Sequence, residues 1–263
     1  MSVTEGTFTP KPGAAPLPRM IRAQAALETR MLLRNGEQLL LTVVIPTLLL
    51  VLFSTVDIVT VPVGTADGEG KAVDFLAPGI LALAVLSTAF TGQAIATGFE
   101  RRYGVLKRLG ASPLPRWALM AAKTCSVLVT EVLQIVLLTV IAFALGWSPH
   151  GNPFAVLLLL VLGTAAFSGL GLLMAGTLKA EATLAAANLV FLLLLVGGGV
   201  IVPLDKFPDA AQSVLGLLPI SALSDGLRDV LQHGAGMPWG DLGILAVWAV
   251  LGLGAAARYF RWE

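Results

Sequence analysis

The stretch FAVLLLLVLGTAAFSGLGLLMAGTL, residues 154–178, runs for 25 residues without a charged side chain. A helix needs about 20 mostly apolar residues to cross the hydrocarbon core of a bilayer. The residues here are continuously apolar, whereas a strand of an outer-membrane barrel alternates between apolar and polar positions. The stretch therefore predicts a membrane-spanning α-helix.

Similar stretches predict five further spans, and so an all-α integral membrane protein with six transmembrane helices. The predicted spans are approximately 39–56, 75–99, 118–146, 154–178, 182–204 and 240–257. Composition agrees, because 56% of the 263 residues are apolar and only 13% are charged, against about 25% charged in a soluble domain. This excludes an ordinary soluble enzyme and a disordered chain. With one Cys and two His, the chain also lacks the ligands for a closed zinc site.

The basic residues divide unevenly between the two sides of the predicted membrane. Both termini of a six-span chain lie on one side, and 14 of the 17 basic residues fall on or near that side. They are Lys11, Arg19, Arg22, Arg30, Arg34, Arg101, Arg102, Lys107, Arg108, Arg116, Lys123, Lys179, Arg258 and Arg261. Because basic loops stay in the cytoplasm, we predict that both termini are cytoplasmic.

The N-terminal segment divides into two parts. Residues 1–18 are rich in Pro and predict a flexible cytoplasmic tail, with the six-span domain following at 19–263. Between residues 19 and 38, apolar residues are interleaved with arginines, which predicts an amphipathic helix in the cytoplasmic headgroup region. The alternative is the ordinary positive flank of a first span.

The loop after the second predicted span, ERRYGVLKRLGASPLPR at 100–116, carries five basic residues. Its apolar residues fall at helical spacing, and Pro113 and Pro115 break the helix before the third span. A short amphipathic helix here is either a turn lying along the membrane or a docking surface for a cytoplasmic partner.

On the opposite side, prolines interrupt residues 203–240. The apolar run Val214–Leu223 is too short to span, and such lengths suit re-entrant or interfacial segments. We predict short helices that form an exit gate, with a plain loop as the alternative. The gate residues are Pro203, Pro219, Asp225 and Arg228.

Few polar groups fall inside the predicted spans. Glu131, with Gln134 on the same helix face, is either functional or packed against a neighbouring helix through a hydrogen bond. Gln93 and Asn188 favour interhelical hydrogen bonds over substrate binding. Lys123 lies near the start of its span, and we interpret it as a headgroup anchor that snorkels to the interface.

No motif for catalysis or ATP binding is found in the sequence. Gly70-Lys71 lacks both the upstream Gly and the following Ser or Thr of a P-loop. We find no catalytic triad or metal cluster, so we expect no enzyme activity and no cofactor in this chain. Since an ion-coupled carrier needs several charges within the membrane, energy for active transport would come from another chain.

These features resemble the permeases of ABC type-2 transporters, the membrane subunits of bacterial exporters for drugs, lipid-linked polysaccharides and related amphiphiles. The resemblance extends from about residue 19 to 263 and is closest in the loop after the second span, where it implies a coupling helix. Its residues there are Glu100, Arg101, Arg102, Tyr103, Gly104, Leu106, Lys107, Leu109 and Pro113. Lys107 stands where many members carry an acidic residue. The stretch from Pro203 to Leu231 is similar to the outer re-entrant helices of the family.

The resemblance implies a multi-pass protein of the bacterial cytoplasmic membrane. A separate ATP-binding subunit, which would bind ATP and Mg²⁺, would dock at 100–113, and a second permease subunit would complete the path in the lipid bilayer. No nucleic-acid partner is expected. Alternatives are a non-transporting scaffold or sensor subunit, and an ion-coupled secondary carrier that uses Glu131.

Overall fold

A computed structural model describes residues 15–55, 72–111, 113–200 and 207–260. The described residues form helices and no β-strand, which confirms the all-α fold class. The helices are α1 (Leu17–Arg34), α2 (Gly36–Thr55), α3 (Ala72–Val85), α4 (Gln93–Arg102), α5 (Val105–Gly110), α6 (Arg116–Ala144), α7 (Pro153–Thr177), α8 (Ala180–Gly197), α9 (Asp209–Leu215), α10 (Pro219–Leu231) and α11 (Trp239–Tyr259).

Five helical stretches in the described chain are long and apolar enough to cross a membrane. They are Ala72–Arg102, Trp117–Ala144, Pro153–Thr177, Ala180–Gly197 and Trp239–Tyr259. The first joins α3 to α4 through a π-helical segment, Leu86–Gly92. In α2, the described side chains give an apolar segment at Thr42–Thr55. The chain is therefore a multi-pass membrane protein, with five spans of sufficient length among the residues that the structure describes.

The stretch Ala72–Arg102 lies at the centre of the fold and is almost completely surrounded by protein. By contrast, α6 and α8 turn many large apolar side chains outwards, as helices do when lipid is the solvent. The most extensive packing joins α7 to α11 at small residues. A Cβ atom on Gly169 would lie only 2.5 Å from the backbone nitrogen of Leu253, so glycine allows the two helices to approach closely.

Helix α1 packs along the first half of α6. Met20 and Ile21 contact an apolar cluster that contains Ala118 and Leu119, and Gln24 and Glu28 are buried on the same side. The helix begins at Leu17, two residues before the predicted domain boundary. Its location in the headgroup region stays a prediction.

Candidate functional site

A cleft of about 680 Å³ lies between α2, the central stretch Ala72–Arg102 and α8. Apolar side chains such as Leu49, Phe99 and Phe191 form most of its walls. The polar side chains that line it are Asn35, Thr42, Ser87, Thr91 and Asn188. All are hydroxyl or amide groups, so among the described residues the lining presents hydrogen-bonding groups without a charge.

At one end of the central stretch, α4 passes into the predicted coupling segment, residues 100–113. Gly104 has a φ of 71°, a left-handed conformation that glycine adopts without strain, and the chain turns there into α5. Leu106 is completely buried with Leu114, which anchors α5 to the body of the protein. Leu109 packs against the same cluster.

The outward side of the coupling segment is basic and aromatic. Tyr103 is 69% exposed, and Arg102, Lys107 and Arg108 are exposed beside it. Pro113 is also exposed. Of the residues predicted for coupling, these can reach a partner, whereas Leu106 and Leu109 support them from below.

Two arginines hold the end of α4 against the last turn of α7 and the first turn of α8. The Arg101 guanidinium donates to the carbonyl of Ala175 at 2.9 Å. Arg102 forms an ion pair with Glu181 in the first turn of α8. The coupling segment is thereby connected to a helix that lines the cleft.

A buried ion cluster lies beneath the coupling segment. The Lys123 ammonium donates to the Glu100 carboxylate at 2.6 Å and to the Glu28 carboxylate at 3.0 Å. Gln24 donates to the other oxygen of Glu28 at 2.8 Å. Lys123 is only 4% exposed, so its interpretation as a snorkelling headgroup anchor is wrong. Two carboxylates within the protein hold it instead, and they come from two different helices.

A small polar cavity of about 40 Å³ adjoins this cluster. Lys123, Glu28 and Glu100 line it, together with Gln93 and Thr97. The Gln93 amide nitrogen and the Thr97 hydroxyl are buried and have no hydrogen-bond partner among the described residues. Such a volume has room for about three waters, and waters in cavities of this kind bond to polar groups that are otherwise unsatisfied.

The polar residues deeper in the spans make contacts between helices. Glu131 is buried and accepts a hydrogen bond from the Thr164 hydroxyl in α7. Gln134 accepts from Thr88 at 2.9 Å and donates to the carbonyl of Thr42 at 2.5 Å. None of this set lies on the cleft except Thr42.

Gln93 and Asn188 differ in their surroundings. The Gln93 carbonyl accepts a hydrogen bond from Ser168 in α7 at 2.6 Å, which is an interhelical contact. The Asn188 amide donates to the carbonyl of Leu184 in its own helix, and its side chain lines the cleft. Asn188 is therefore the predicted polar residue best placed to meet a molecule in the cleft.

At the other end of the central stretch, Arg228 of α10 binds the segment that follows α8. Its guanidinium donates to the carbonyls of Gly199 and Val200, both at 2.7 Å. It also pairs with Asp225 at 3.2 Å and lies 4.2 Å from the centre of the Phe75 ring. We call this group the outer clamp. It joins α10, the segment that follows α8 and the start of α3.

Burial affects the charges of the outer clamp. It raises the pKa of Asp225 above its ordinary value, while the adjacent Arg228 guanidinium opposes that rise. Burial lowers the pKa of Arg228 from its ordinary value, and Asp225 opposes the fall. Arginine nevertheless stays protonated in proteins, so the clamp keeps its cation.

Of the two remaining predicted gate residues, the structure describes Pro219. Pro219 is buried at the first position of α10, where a missing N–H is tolerated. Pro203 lies outside the described residues. The apolar run Val214–Leu223 is divided between α9 and α10 instead of forming one helix.

Sequence reasoning missed Glu28 and Gln24, the α1 partners in the buried ion cluster. A lysine within a span needs a counter-ion, and the spacing of Gln24 and Glu28 places them on one helix face. The need of Lys123 for a counter-ion and the shared helix face of Gln24 and Glu28 were the two signals in the sequence that pointed to this cluster. Neither says which helix supplies the partner, because α1 and α6 are distant in sequence.

Comparison with known proteins agrees with the architecture. The profile of the ABC-2 family transporter protein matches residues 19–258. The chain is 23% identical to the putative transport permease YvfS of Bacillus subtilis (strain 168) over 250 residues, 92% of this chain and 97% of that protein. It is 29% identical over 167 residues to the linearmycin resistance permease protein LnrN of the same organism, which covers 61% of this chain and 43% of LnrN. The match thus spans less than half the length of LnrN. With the family profile covering nearly all of the multi-helix region, this chain belongs to the ABC-2 family of transporter proteins.

Proposed function

We propose that the chain is the membrane permease subunit of an ATP-binding-cassette exporter for a hydrophobic or amphipathic substrate. The observation that carries this proposal is the cleft of about 680 Å³ between α2, the central stretch and α8. Binding sites for drug-sized molecules have volumes of this order and are mostly apolar with a few polar groups. The cleft fits that description.

The lining favours a neutral amphiphile. Its apolar walls suit a hydrocarbon portion, and the side chains of Asn188, Thr42 and Ser87 suit hydroxyl or amide groups. A charged group would meet no opposite charge among the described lining residues, and an unpaired charge in an apolar site is costly. LnrN is named as a resistance permease, and removal of a harmful amphiphile is one way in which a permease gives resistance.

A separate ATP-binding subunit docks on the coupling segment. The exposed residues Tyr103, Lys107 and Arg108 offer an aromatic anchor between cations, which fits an acidic cleft in that subunit. In this arrangement α2 supplies the first of six spans, and both termini face the cytoplasm. A second permease subunit, identical or homologous, faces the cleft and completes the path.

Two other classes of function are tested by the same measurements. A scaffold or sensor subunit has the same spans without a continuous path, so it gives no flux. A carrier that uses Glu131 works without ATP. The hydrogen bond from Thr164 to buried Glu131, away from the cleft, favours a packing role for that residue.

The test is reconstitution of the chain with its ATP-binding subunit in proteoliposomes. The neutral amphiphile NBD-ceramide serves as the probe, and ATP-dependent flux is expected. Substituting Gly104→Arg should reduce association of the ATP-binding subunit by about tenfold, since a bulky charge and a strained φ would disturb the turn.

Gly234→Arg is the matched control for Gly104→Arg. Gly234 also has a positive φ, 65°, and also has space around it, but it lies in the loop between α10 and α11. This control should leave association unchanged. If the Gly104→Arg variant associates with the ATP-binding subunit as the unaltered chain does, the docking assignment is wrong. In the flux measurement, transport driven by a proton gradient alone would indicate the ion-coupled carrier.

A further inference from the structure

The buried ion cluster makes Glu100 the residue that connects the coupling segment to the rest of the protein. Glu100 opens the segment, yet its carboxylate lies 2.6 Å from the Lys123 ammonium instead of facing outwards. We propose that Lys123 is the positioning residue through which movement of the coupling segment reaches α6 and α1. The proposal rests on the proposed function, because it takes an ATP-binding subunit as the source of that movement.

Charge and burial make this contact strong. The side chains of Lys123 and Glu28 are about 5% exposed and that of Glu100 is 21% exposed. Opposite charges attract more strongly where water is largely excluded, and separating a buried pair leaves an uncompensated charge. If the segment moves, α6 therefore tends to move with Glu100.

The same cluster extends this connection to a third helix. Lys123 contacts Glu28 of α1 and Glu100 of α4 at once, and Gln24 fixes Glu28 in place. Two carboxylates and one ammonium leave a net negative charge. The adjoining cavity of about 40 Å³ has room for waters beside these groups.

The cluster lies beside the cleft. Thr42 and Ala96 line both the small polar cavity and the cleft, and Phe99, next to Glu100, lines the cleft. A displacement of Glu100 along the axis of α4 therefore also displaces a wall of the proposed path. The ion pair of Lys123 with Glu100 determines whether α6 moves together with that wall.

Two substitutions distinguish this role from simple packing. Glu100→Gln leaves Lys123 paired with Glu28, and Glu28→Gln leaves it paired with Glu100. Both variants keep one buried neutral pair, so they are matched in charge. They differ in which helix loses its ion pair with Lys123: α4 in Glu100→Gln and α1 in Glu28→Gln. Only Glu100→Gln therefore separates the coupling segment from Lys123.

The measurement is hydrogen exchange in the complex with the ATP-binding subunit, with and without ATP. In Glu100→Gln the ATP-induced change in exchange of residues 116–130 should fall by about fivefold, because the charge contact that transmits the movement is gone. Glu28→Gln should keep that change within about twofold and instead raise exchange in α1, whose own tether is lost. Copurification of the ATP-binding subunit is measured for both variants before exchange is compared.

The proposal is overturned if Glu100→Gln keeps the full ATP-induced change, or if Glu28→Gln abolishes it equally. If Glu100→Gln gives no complex, Glu100→Asp replaces it, since it keeps the charge and shortens the side chain by one methylene. An intermediate loss is then expected, and an unchanged response contradicts the proposal. Absence of any complex with the unaltered chain would instead count against the proposed function.

Discussion

Lys123 and Arg228 are two buried cations that act at opposite ends of the same central helical stretch. Lys123 contacts Glu100 near the end of that stretch, and Arg228 lies over the Phe75 ring near its start. These two contact points are 25 residues apart, or about 37 Å at the helical rise. Each cation holds three elements together.

The partners of the two cations are chemically different. Lys123 is held by the carboxylates of Glu28 and Glu100, which are side chains on separate helices. Arg228 is held by two backbone carbonyls in the segment that follows α8, and only one of its partners, Asp225, is a carboxylate. The lysine site depends on side chains that can shift, whereas the arginine site depends on the backbone itself.

This difference bears on how a permease could move. A point-charge ammonium keeps its attraction when a neighbouring carboxylate shifts slightly, and lysine has three freely rotating donors. A planar guanidinium bonded to two carbonyls demands a fixed geometry. The lysine end therefore suits a joint that transmits movement, and the outer clamp suits a fixed attachment between α10 and the segment that follows α8.

The largest effect on stability is expected at the lysine end. Lys123→Met leaves two carboxylates buried without a cation, and breaking a buried pair in this way costs about 3–5 kcal/mol in the free energy of unfolding. Unfolding in mixed micelles by sodium dodecyl sulfate measures this loss. Lys179→Met, at an exposed lysine before α8, is the control and should change stability by less than about 0.5 kcal/mol.

A triple variant shows whether charge is the cause. Combining Lys123→Met with Glu28→Gln and Glu100→Gln removes every charge of the cluster, and neutral replacements of similar volume are often tolerated. Most of the lost stability should return. A triple variant as unstable as Lys123→Met would mean that packing volume, and not the unpaired carboxylates, determines the result.

A smaller effect is expected at the outer clamp when its charge is kept. Arg228→Lys retains the cation but cannot bond both carbonyls and Asp225 while covering the Phe75 ring, so unfolding should become easier by about 1–2 kcal/mol. Arg258→Lys is the matched control, since Arg258 is exposed and lies 6.0 Å from the Tyr259 ring. Equal stability of the two variants would show that only the charge of Arg228 matters.

The two ends also differ in how far sequence could predict them. Apolar length predicted the all-α fold, which the structure confirms. Helical spacing in the loop after the second predicted span predicted the short helix α5, but its coupling role came from the family resemblance and stays a prediction. Asp225 and Arg228 could be predicted as a pair because they lie three residues apart on one helix. The carbonyls of Gly199 and Val200 could not, since backbone partners leave no mark in side-chain type. Glu28 was missed because nothing local shows that α1 packs against α6.

The smallest effect is expected at Arg102 and Glu181, an ion pair at the same end as Lys123. Both side chains are more than half exposed, and exposed pairs contribute about 0–1 kcal/mol because water and salt screen them. Glu181→Gln should therefore lower stability by less than about 0.5 kcal/mol, and 0.5 M salt should remove the difference. The Lys123 cluster, shielded from salt, should keep its full contribution under the same conditions. A salt dependence at Lys123 equal to that at Glu181 would show that solvent reaches the cluster freely, and the reason for assigning it a transmitting role would be lost.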